Sequence, residues 1–417
     1  MHFTGMKKKI KGLLVWSEKY TKTDMVYVTK GGGWLGSSQI ISLVSGMFLT
    51  IGFANLIPLT VYGIYKYILT LRGTINIFSL TGMGTATLQA SAQGYEGSLK
   101  KNFWTDLKWR IGTILIALGG AGYYFIQGNT VLGSGLVLIA ITAPITTSAS
   151  LYAPFLSGKK LFHVKAVYSG IHGILSTAIL LTTLFLTDSV IILFLTYVLA
   201  NLIITAILYF RTKKKYVQNS RVNKYTSGYA KHLSLMNIIG EVALKLDKIL
   251  IFHYLGAAQL AIYSFAFAPP KQLESLNKIL KTLAFPKLSN TDITHLKKAI
   301  PYKAMQLFFL ALGIVITYSI AAPYIFEIFF PQYMGAVLYS QVLSLNLLFF
   351  PRMLYNQTLL AHMKKKQLYI TKTIPAILRI FLLIILLPLY HIWGVIIAIL
   401  FAQLVKFFLV YILFKRL

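Results

Sequence analysis

Apolar segments of about 20 residues recur along the whole chain, separated by short polar or basic loops. A helix of about 20 apolar residues spans the hydrocarbon core of a bilayer, so the pattern predicts an all-α integral membrane protein. We predict twelve transmembrane helices, at residues 30–51, 59–85, 108–126, 130–153, 165–187, 189–210, 232–255, 258–286, 303–323, 337–362, 369–389 and 392–414.

Along the chain, loops rich in Lys and Arg alternate with loops that contain neither residue. The basic ones are the arm before residue 31, then 100–110, 159–165, 211–231, 287–303, 364–372 and the tail 415–416. The alternate loops at 52–58, 127–129, 188, 256–257, 324–336 and 390–391 contain no Lys or Arg. Because Lys and Arg mark the cytoplasmic side, the pattern predicts a multi-pass protein of the cytoplasmic (inner) membrane with both termini inside.

The amino-acid composition agrees with a membrane protein and argues against other classes of protein. The chain is 56% hydrophobic and 12% charged, against about 25% charged in soluble domains. A net charge of +31 would suit a nucleic-acid-binding protein, but topology accounts for these cations, so no nucleic-acid partner is expected. With no cysteine, no metal-ligand cluster, no phosphate-binding loop and no nucleophilic constellation, we expect neither an enzyme nor a bound cofactor.

The longest basic loop divides the chain into two similar halves. Residues 36–65 align without gaps on 234–263, with Ile64-Tyr65 on Ile262-Tyr263. Both segments open a half and run from inside to outside, which is typical of parallel repeats with a substrate site between two lobes. We predict a basic cytoplasmic arm (1–29), an N-lobe of six helices (30–210), a linker lying on anionic lipid headgroups (211–231) and a C-lobe of six helices (232–417).

Ten cations and only three acids fall inside the spans. The cations are Lys66, Arg72, Lys245, Lys248, Lys271, Lys278, Lys281, Arg352, Arg379 and Lys406; the acids are Glu241, Asp247 and Glu274. A charge facing lipid at mid-span costs roughly 2.5–3.5 kcal/mol on insertion scales. Since internal pairing cannot neutralise this excess, the two lobes are predicted to surround a central cationic cavity.

Helical phase groups these charges. Lys271, Glu274, Lys278 and Lys281 fall within a sector of about 80° on the eighth span. Glu241, Lys245 and Lys248 fall within about 60° on the seventh span, with Asp247 roughly 120° away. The alternative reading is local: Lys278 and Lys281 could reach the cytoplasmic headgroups, and the i,i+4 pairs Glu241–Lys245 and Glu274–Lys278 could neutralise each other.

The candidate site residues follow from this pattern. We predict that an anionic headgroup is bound by Lys66, Arg72, Lys271, Lys278, Arg352, Arg379 and Lys406. Glu241, Asp247 and Glu274 are candidates for binding a coupling cation or for structural ion pairs. Pro269 and Pro270 remove two backbone donors inside the eighth span, which predicts a kink or break and a hinge there.

One segment resembles a known family. In LDKILIFHYLGAAQLAIYSFAFA (246–268), an Asp and a basic residue precede an apolar run, a Leu-Gly turn and a small residue before Tyr. With Asp247, Gly256, Tyr263 and Ala266 at these positions, the segment resembles polysaccharide flippases of the multidrug/oligosaccharidyl-lipid/polysaccharide exporter superfamily. Phe285-Pro286 resembles the end of the family's eighth helix, whereas Ile57-Pro58 departs from its first-half Leu-Gly turn.

The resemblance implies a function. Such a flippase moves a polyprenyl-pyrophosphate-linked oligosaccharide from the cytoplasmic to the outer leaflet by alternating access, for export of an O-antigen, capsule or similar glycan. It implies coupling to Na⁺, H⁺ or the membrane potential, and partners such as a glycan polymerase or glycosyltransferases. The alternatives are a multidrug or cation antiporter of the same fold and a membrane glycan polymerase or ligase.

Overall fold

The computed structural model of the chain describes residues 25–289, 292–362 and 364–416, with the side chains of 25–32, 35, 275–287, 289, 361 and 365 outside this description. The described residues are helical and contain no strand. The helices are α1 (Met25–Leu56), α2 (Leu59–Ile75), α3 (Met83–Ala92), α4 (Ser98–Trp109), α5 (Ile111–Ile126), α6 (Thr130–Ala149), α7 (Tyr152–Gly158), α8 (Phe162–Leu186), α9 (Val190–Tyr216), α10 (Thr226–Ser289), α11 (Ile293–Phe329), α12 (Val337–Ser344), α13 (Arg352–Ala361) and α14 (Lys365–Lys415).

Eight of the helices in the described part are long and apolar enough to cross a membrane, or nine if a bent pair counts as one span. The bent pair joins Pro331–Phe349 to Arg352–Leu360 at an angle of 45°. The protein is therefore a multi-pass membrane protein. The count is below the predicted twelve because α10 and α14 are each counted once although each covers two predicted spans, and because α2, with 17 residues, is short for a span.

Both long helices contain one sharp break. In α10 the break is at Gly256 (φ 85°, ψ −179°), and in α14 it is at His391 (φ 53°, ψ −132°). Both lie where the loop pattern predicted an outer turn, which confirms these two boundaries. The conformation of Gly256 is open essentially to glycine alone, so this residue type fixes the position of the turn.

The helix shows no break at Pro269-Pro270, whereas the kink and the hinge predicted there stay predictions. Gly256 is the residue with non-helical angles in the described backbone of α10, and the helix continues through the double proline. Proline removes a hydrogen-bond donor, but its fixed φ is compatible with helix. Two other boundaries also differ: α2 ends at Ile75 instead of continuing to residue 85, and the outer loop 324–336 is largely helical because α11 extends to Phe329.

The two halves meet along α2 and α10. Pro58 ends the break between α1 and α2, and the internal alignment places it on Gly256, so the two halves turn at equivalent positions. The ring of Tyr67 stacks on Phe252 with centroids 3.7 Å apart. Nearby, Tyr62 packs on Phe265 at 4.7 Å, within the largest buried apolar cluster. This aromatic packing holds α2 against α10.

Candidate functional site

A cavity of about 570 Å³ lies where α1, α2, α10, α13 and α14 meet. Its charged lining residues are Lys66, Lys248, Lys271, Glu274 and Arg352. The uncharged polar lining includes Gln39 and Gln403. Residues distant in sequence therefore converge on one space with four cations and a single carboxylate among the described lining side chains, as the excess of intramembrane cations predicted.

The ammonium group of Lys66 makes a cation–π contact with an aromatic ring. Its ammonium nitrogen lies 5.0 Å from the centroid of Tyr62, one helical turn earlier on α2. Tyr62 is itself held by Phe265 and Tyr333, whose rings are 4.7 and 6.4 Å from its own. A cation over an aromatic face is stabilised by the ring quadrupole, which compensates part of the hydration that the ammonium loses.

The lysines of the cavity repel one another. The charges of Lys66 and Lys245 act on both Lys248 and Lys271. Lys245 lies just outside the lining and rests against α2 at Gly73, where an added Cβ would be 2.9 Å from its Nζ. Like charges gathered in a partly dry space raise the electrostatic potential there, and an incoming anion relieves this repulsion.

The carboxylate of the cavity compensates these charges only in part. Glu274 accepts a hydrogen bond from Asn346 Nδ2 and acts electrostatically on Arg352 and Lys271. Arg352 donates through Nη1 to Gln403 Oε1 at 2.5 Å. One negative charge next to four positive ones leaves the cavity a strong site for an anion, and the guanidinium of Arg352 can present paired donors to a phosphate.

Asp247 is committed to neighbours inside the protein. Its Oδ2 accepts from Tyr263 Oη at 2.6 Å and pairs with Arg379 Nη2 at 3.1 Å. Its Oδ1 accepts from the backbone N–H of Lys248 at 2.8 Å. Of the two roles predicted for Asp247, the geometry is that of an ion pair, and the pair joins the two parts of α10 to α14.

The other predicted residues lie elsewhere. Arg379, Lys406 and Glu241 line a second cavity of about 330 Å³ between α10 and α14, together with Lys372. Arg72 packs over the ring of Tyr197 at 5.5 Å and is not among the residues that line the first cavity. The side chains of Lys278 and Lys281 lie outside the described residues.

The lining residues that were absent from the predicted site include Lys248, Tyr62 and Gln403. Lys248 shares the predicted charged face of the seventh span, so its phase was a usable signal. Tyr62 precedes Lys66 by four residues, and Gln403 precedes Lys406 by three, but a Tyr or Gln in a span carries no signal by itself. Among the described residues there is no group of three or more His, Asp or Glu side chains suited to a metal ion.

Residues 53–332 match the model of a family described as polysaccharide biosynthesis protein. The match covers roughly two thirds of the chain, from the end of α1 to just beyond α11, and includes three of the cavity lysines.

The chain belongs to the polysaccharide biosynthesis protein family. This confirms the resemblance to polysaccharide flippases seen in residues 246–268, which lie inside the match. A comparison with curated protein sequences finds no match.

Solved structures of transporters share the fold. The lipid II flippase MurJ in an inward closed conformation is 16% identical, with a TM-score of 0.62 over 90% of this chain and 86% of MurJ. A MOP superfamily transporter from Pyrococcus furiosus, described by the reverse polarity of its binding pocket, is 13% identical with a TM-score of 0.62 over 93% and 96% of the two chains. An outward-facing multidrug resistance MATE family transporter is 12% identical with a TM-score of 0.58 over 93% and 96%. These likenesses show a fold of the MOP type.

Proposed function

We propose that this polysaccharide biosynthesis protein is a flippase for a polyprenyl-pyrophosphate-linked oligosaccharide. The observation that carries the proposal is the cavity lined by Lys66, Lys248, Lys271 and Arg352 with Glu274 as its described carboxylate. A pyrophosphate headgroup cannot cross a bilayer unless other groups replace its water, and cations in a sheltered cavity supply charge-assisted hydrogen bonds to its oxygens. The polyprenyl tail stays in the membrane.

We further propose twelve spans in two lobes. The breaks at Gly256 and His391 would divide α10 and α14 into two spans each, and α2 and the bent pair Pro331–Leu360 would supply two more. In this arrangement the protein lies in the inner membrane, and both termini and the linker 211–231 face the cytoplasm. The cavity then lies between an N-lobe (30–210) and a C-lobe (232–417), which is where parallel-repeat transporters bind substrate.

Contacts near the proposed outer turns favour a state closed to the outside. Asn55 Nδ2 donates to the carbonyl of Phe329 at 3.0 Å, joining α1 to α11. Gly63 approaches Ala257 so closely that an added Cβ would lie 3.0 Å from the Ala257 Cα and nearer still to its carbonyl oxygen. Alternating access would separate these contacts after headgroup binding and expose the cavity to the outer leaflet.

Transport against a gradient needs a coupled energy source. We propose Na⁺, H⁺ or the membrane potential, without a bound cofactor or a catalytic step. The candidate carboxylates for a coupling cation are Glu241, Asp247 and Glu274, and binding at Asp247 would require release from Arg379. A glycan polymerase and glycosyltransferases are the proteins expected to consume and supply the transported glycan.

The multidrug antiporter is the second candidate function, and the charge of the cavity distinguishes it from a flippase. A cavity for cationic drugs should be acidic, whereas this one is basic. In cells lacking the native gene, we expect Lys271→Ala to reduce surface glycan severalfold at equal membrane levels. Arg72→Ala, which removes an equal charge outside the cavity lining, is the matched comparison and should reduce it less. Normal surface glycan with Lys271→Ala, together with resistance to cationic dyes, would establish the antiporter instead.

A further inference from the structure

The cytoplasmic linker is fastened to the protein instead of lying free on the membrane. Between α9 and α10, the N–H of Asn223 donates to Ser98 Oγ at 3.0 Å and Asn219 Nδ2 donates to the carbonyl of Gly94 at 3.2 Å. Gly97 allows the close approach, since a Cβ there would lie 2.5 Å from the carbonyl oxygen of Ser220. The linker therefore forms a fixed wall beside the start of α4.

This wall encloses one side of a basic pocket of about 550 Å³. The pocket is lined by Lys100, Lys101 and Trp104 of α4, by Lys213 of α9 and by linker residues between Val217 and Val222. None of the described residues lining it is acidic. Glu96, just before α4, is not one of the lining residues, and its carboxylate is bound by the Lys159 ammonium at 2.7 Å and by the backbone N–H of Gln218.

The surface of α4 and α5 has the polarity profile of one leaflet. Lys100 and Trp104 lie one turn apart on α4, Ile111 and Leu115 lie one turn apart on α5, and all four are exposed. Lys108, also exposed, lies between the two pairs. From α4 to α5 the exposed side chains change from lysine and tryptophan to aliphatic groups. Tryptophan concentrates at the membrane–water interface, so Trp104 marks the headgroup level and the lysines lie just on its cytoplasmic side.

We propose that this pocket binds the phosphate of an anionic phospholipid from the cytoplasmic leaflet. The three ammonium groups of Lys100, Lys101 and Lys213 bind the phosphate, Trp104 packs on the glycerol region, and the acyl chains lie along Ile111 and Leu115. The site is separate from the central cavity, because no residue is shared between the two linings. The bound lipid would fix α4 and the linker at the membrane surface while the lobes move.

Phosphatidylglycerol binding to the full-length protein tests the proposal. The measurement is native mass spectrometry of detergent-purified protein titrated with phosphatidylglycerol, with phosphatidylcholine of the same acyl chains, and with inorganic phosphate. We expect tight phosphatidylglycerol binding that weakens about fivefold for each lysine removed, hence on the order of a hundredfold for Lys100→Gln/Lys101→Gln/Lys213→Gln. Since none of the three side chains is buried, the variant should elute as a monodisperse protein.

A matched variant distinguishes a site from general attraction to basic surface. Lys297→Gln/Lys298→Gln/Lys303→Gln removes the same charge from exposed cytoplasmic-side positions of α11. It should bind phosphatidylglycerol as the unaltered protein does. Equal weakening in both triple variants, equal binding of phosphatidylcholine, or inorganic phosphate binding as tight as the lipid would each overturn the proposal.

Discussion

Arg379 Nη2 lies 3.1 Å from Asp247 Oδ2, which joins the start of α14 to the middle of α10 through a nearly buried ion pair. Tyr263 adds a hydrogen bond to the same oxygen at 2.6 Å, across the turn at Gly256. The pair thus couples three predicted spans of the C-terminal half. Removing one partner of a buried pair leaves an uncompensated charge, which is more damaging than removing both.

We therefore expect Asp247→Asn to destabilise the protein by about 3–5 kcal/mol. Asp247→Asn/Arg379→Gln should recover part of that loss, because no unpaired charge remains. Thermal unfolding in detergent, arranged as a double-mutant cycle with Arg379→Gln, measures the coupling. Additive effects of the two single substitutions would show that the pair contributes no interaction energy.

Gly256 should tolerate no side chain although there is room for one. Its φ of 85° with ψ of −179° lies in a region that costs other residues roughly 1–3 kcal/mol. Gly240, on the same helix, also has no atom within 4 Å of an added Cβ but has helical angles. We expect Gly256→Ala to lower the free energy of unfolding by that amount and Gly240→Ala to raise it by about 0.5–1 kcal/mol. Equal effects would show that backbone conformation does not fix this turn.

Gly63→Ala should hinder closure of the outer side. The new methyl would meet the backbone of Ala257, and overpacking of this kind costs about 1–3 kcal/mol. The closed population should fall roughly 5- to 150-fold relative to the open one. Because the chain has no cysteine, two introduced cysteines can carry spin labels across the outer ends for distance measurements. Gly46→Ala, with no atom within 4 Å of its Cβ, is the control, and matching distance distributions in the two variants would contradict the gate assignment.

The Glu96 carboxylate should stay ionised and hold the linker throughout the neutral pH range. Burial alone would raise its pKa, but the Lys159 ammonium and the backbone N–H groups of Gln218 and Asn219 hold the pKa below its usual value. A lowered pKa means that the stabilisation is complete above the usual glutamate range and is lost only as pH falls through the folded-state value. Hydrogen exchange corrected for intrinsic rates should show constant protection of Gln218 between pH 8 and pH 6.

The matching substitution tests the same contact at constant pH. Glu96→Gln should speed exchange at Gln218 by roughly 10- to 150-fold, the equivalent of a hydrogen bond to a charged group. Glu327→Gln, at an exposed position of α11, should leave it unchanged. Protection that disappears near pH 6 in the unaltered protein, or survives in Glu96→Gln, would show that another group holds the linker.

The features that the sequence predicted correctly depend on local pattern. The turn at Gly256 combines a helix-breaking residue with a cation-free gap between apolar runs, and both signals are contiguous. The cationic cavity followed from charge excess, which needs no knowledge of contacts. The sequence did not reveal which charged residues pair with each other. Asp247 and Arg379 are 132 residues apart, and the packing of α14 on α10 brings them together.

The residues that the sequence placed differently from the structure also have physical explanations. Arg72 satisfies the rule that an intramembrane cation avoids lipid, but it does so over the ring of Tyr197 instead of in the cavity. Its phase on α2, roughly 120° from Lys66, already indicated another surface. The double proline was expected to break α10, yet its backbone angles fit a helix, and the effect of two missing donors depends on neighbours that the sequence does not reveal.

Transport of a lipid-linked pyrophosphate by purified protein tests the central claim most directly. Vesicles containing the protein and a polyprenyl-pyrophosphate oligosaccharide would be assayed for the rate at which the headgroup reaches the opposite leaflet. Each cavity cation should contribute a charge-assisted hydrogen bond of about 1.5–3 kcal/mol, so losing two of them in Lys66→Gln/Lys271→Gln should slow translocation at least about a hundredfold. Lys297→Gln/Lys298→Gln, an equal charge change on the surface of α11, should translocate at the rate of the unaltered protein. Unchanged translocation by the cavity variant would contradict the claim that these lysines carry the headgroup.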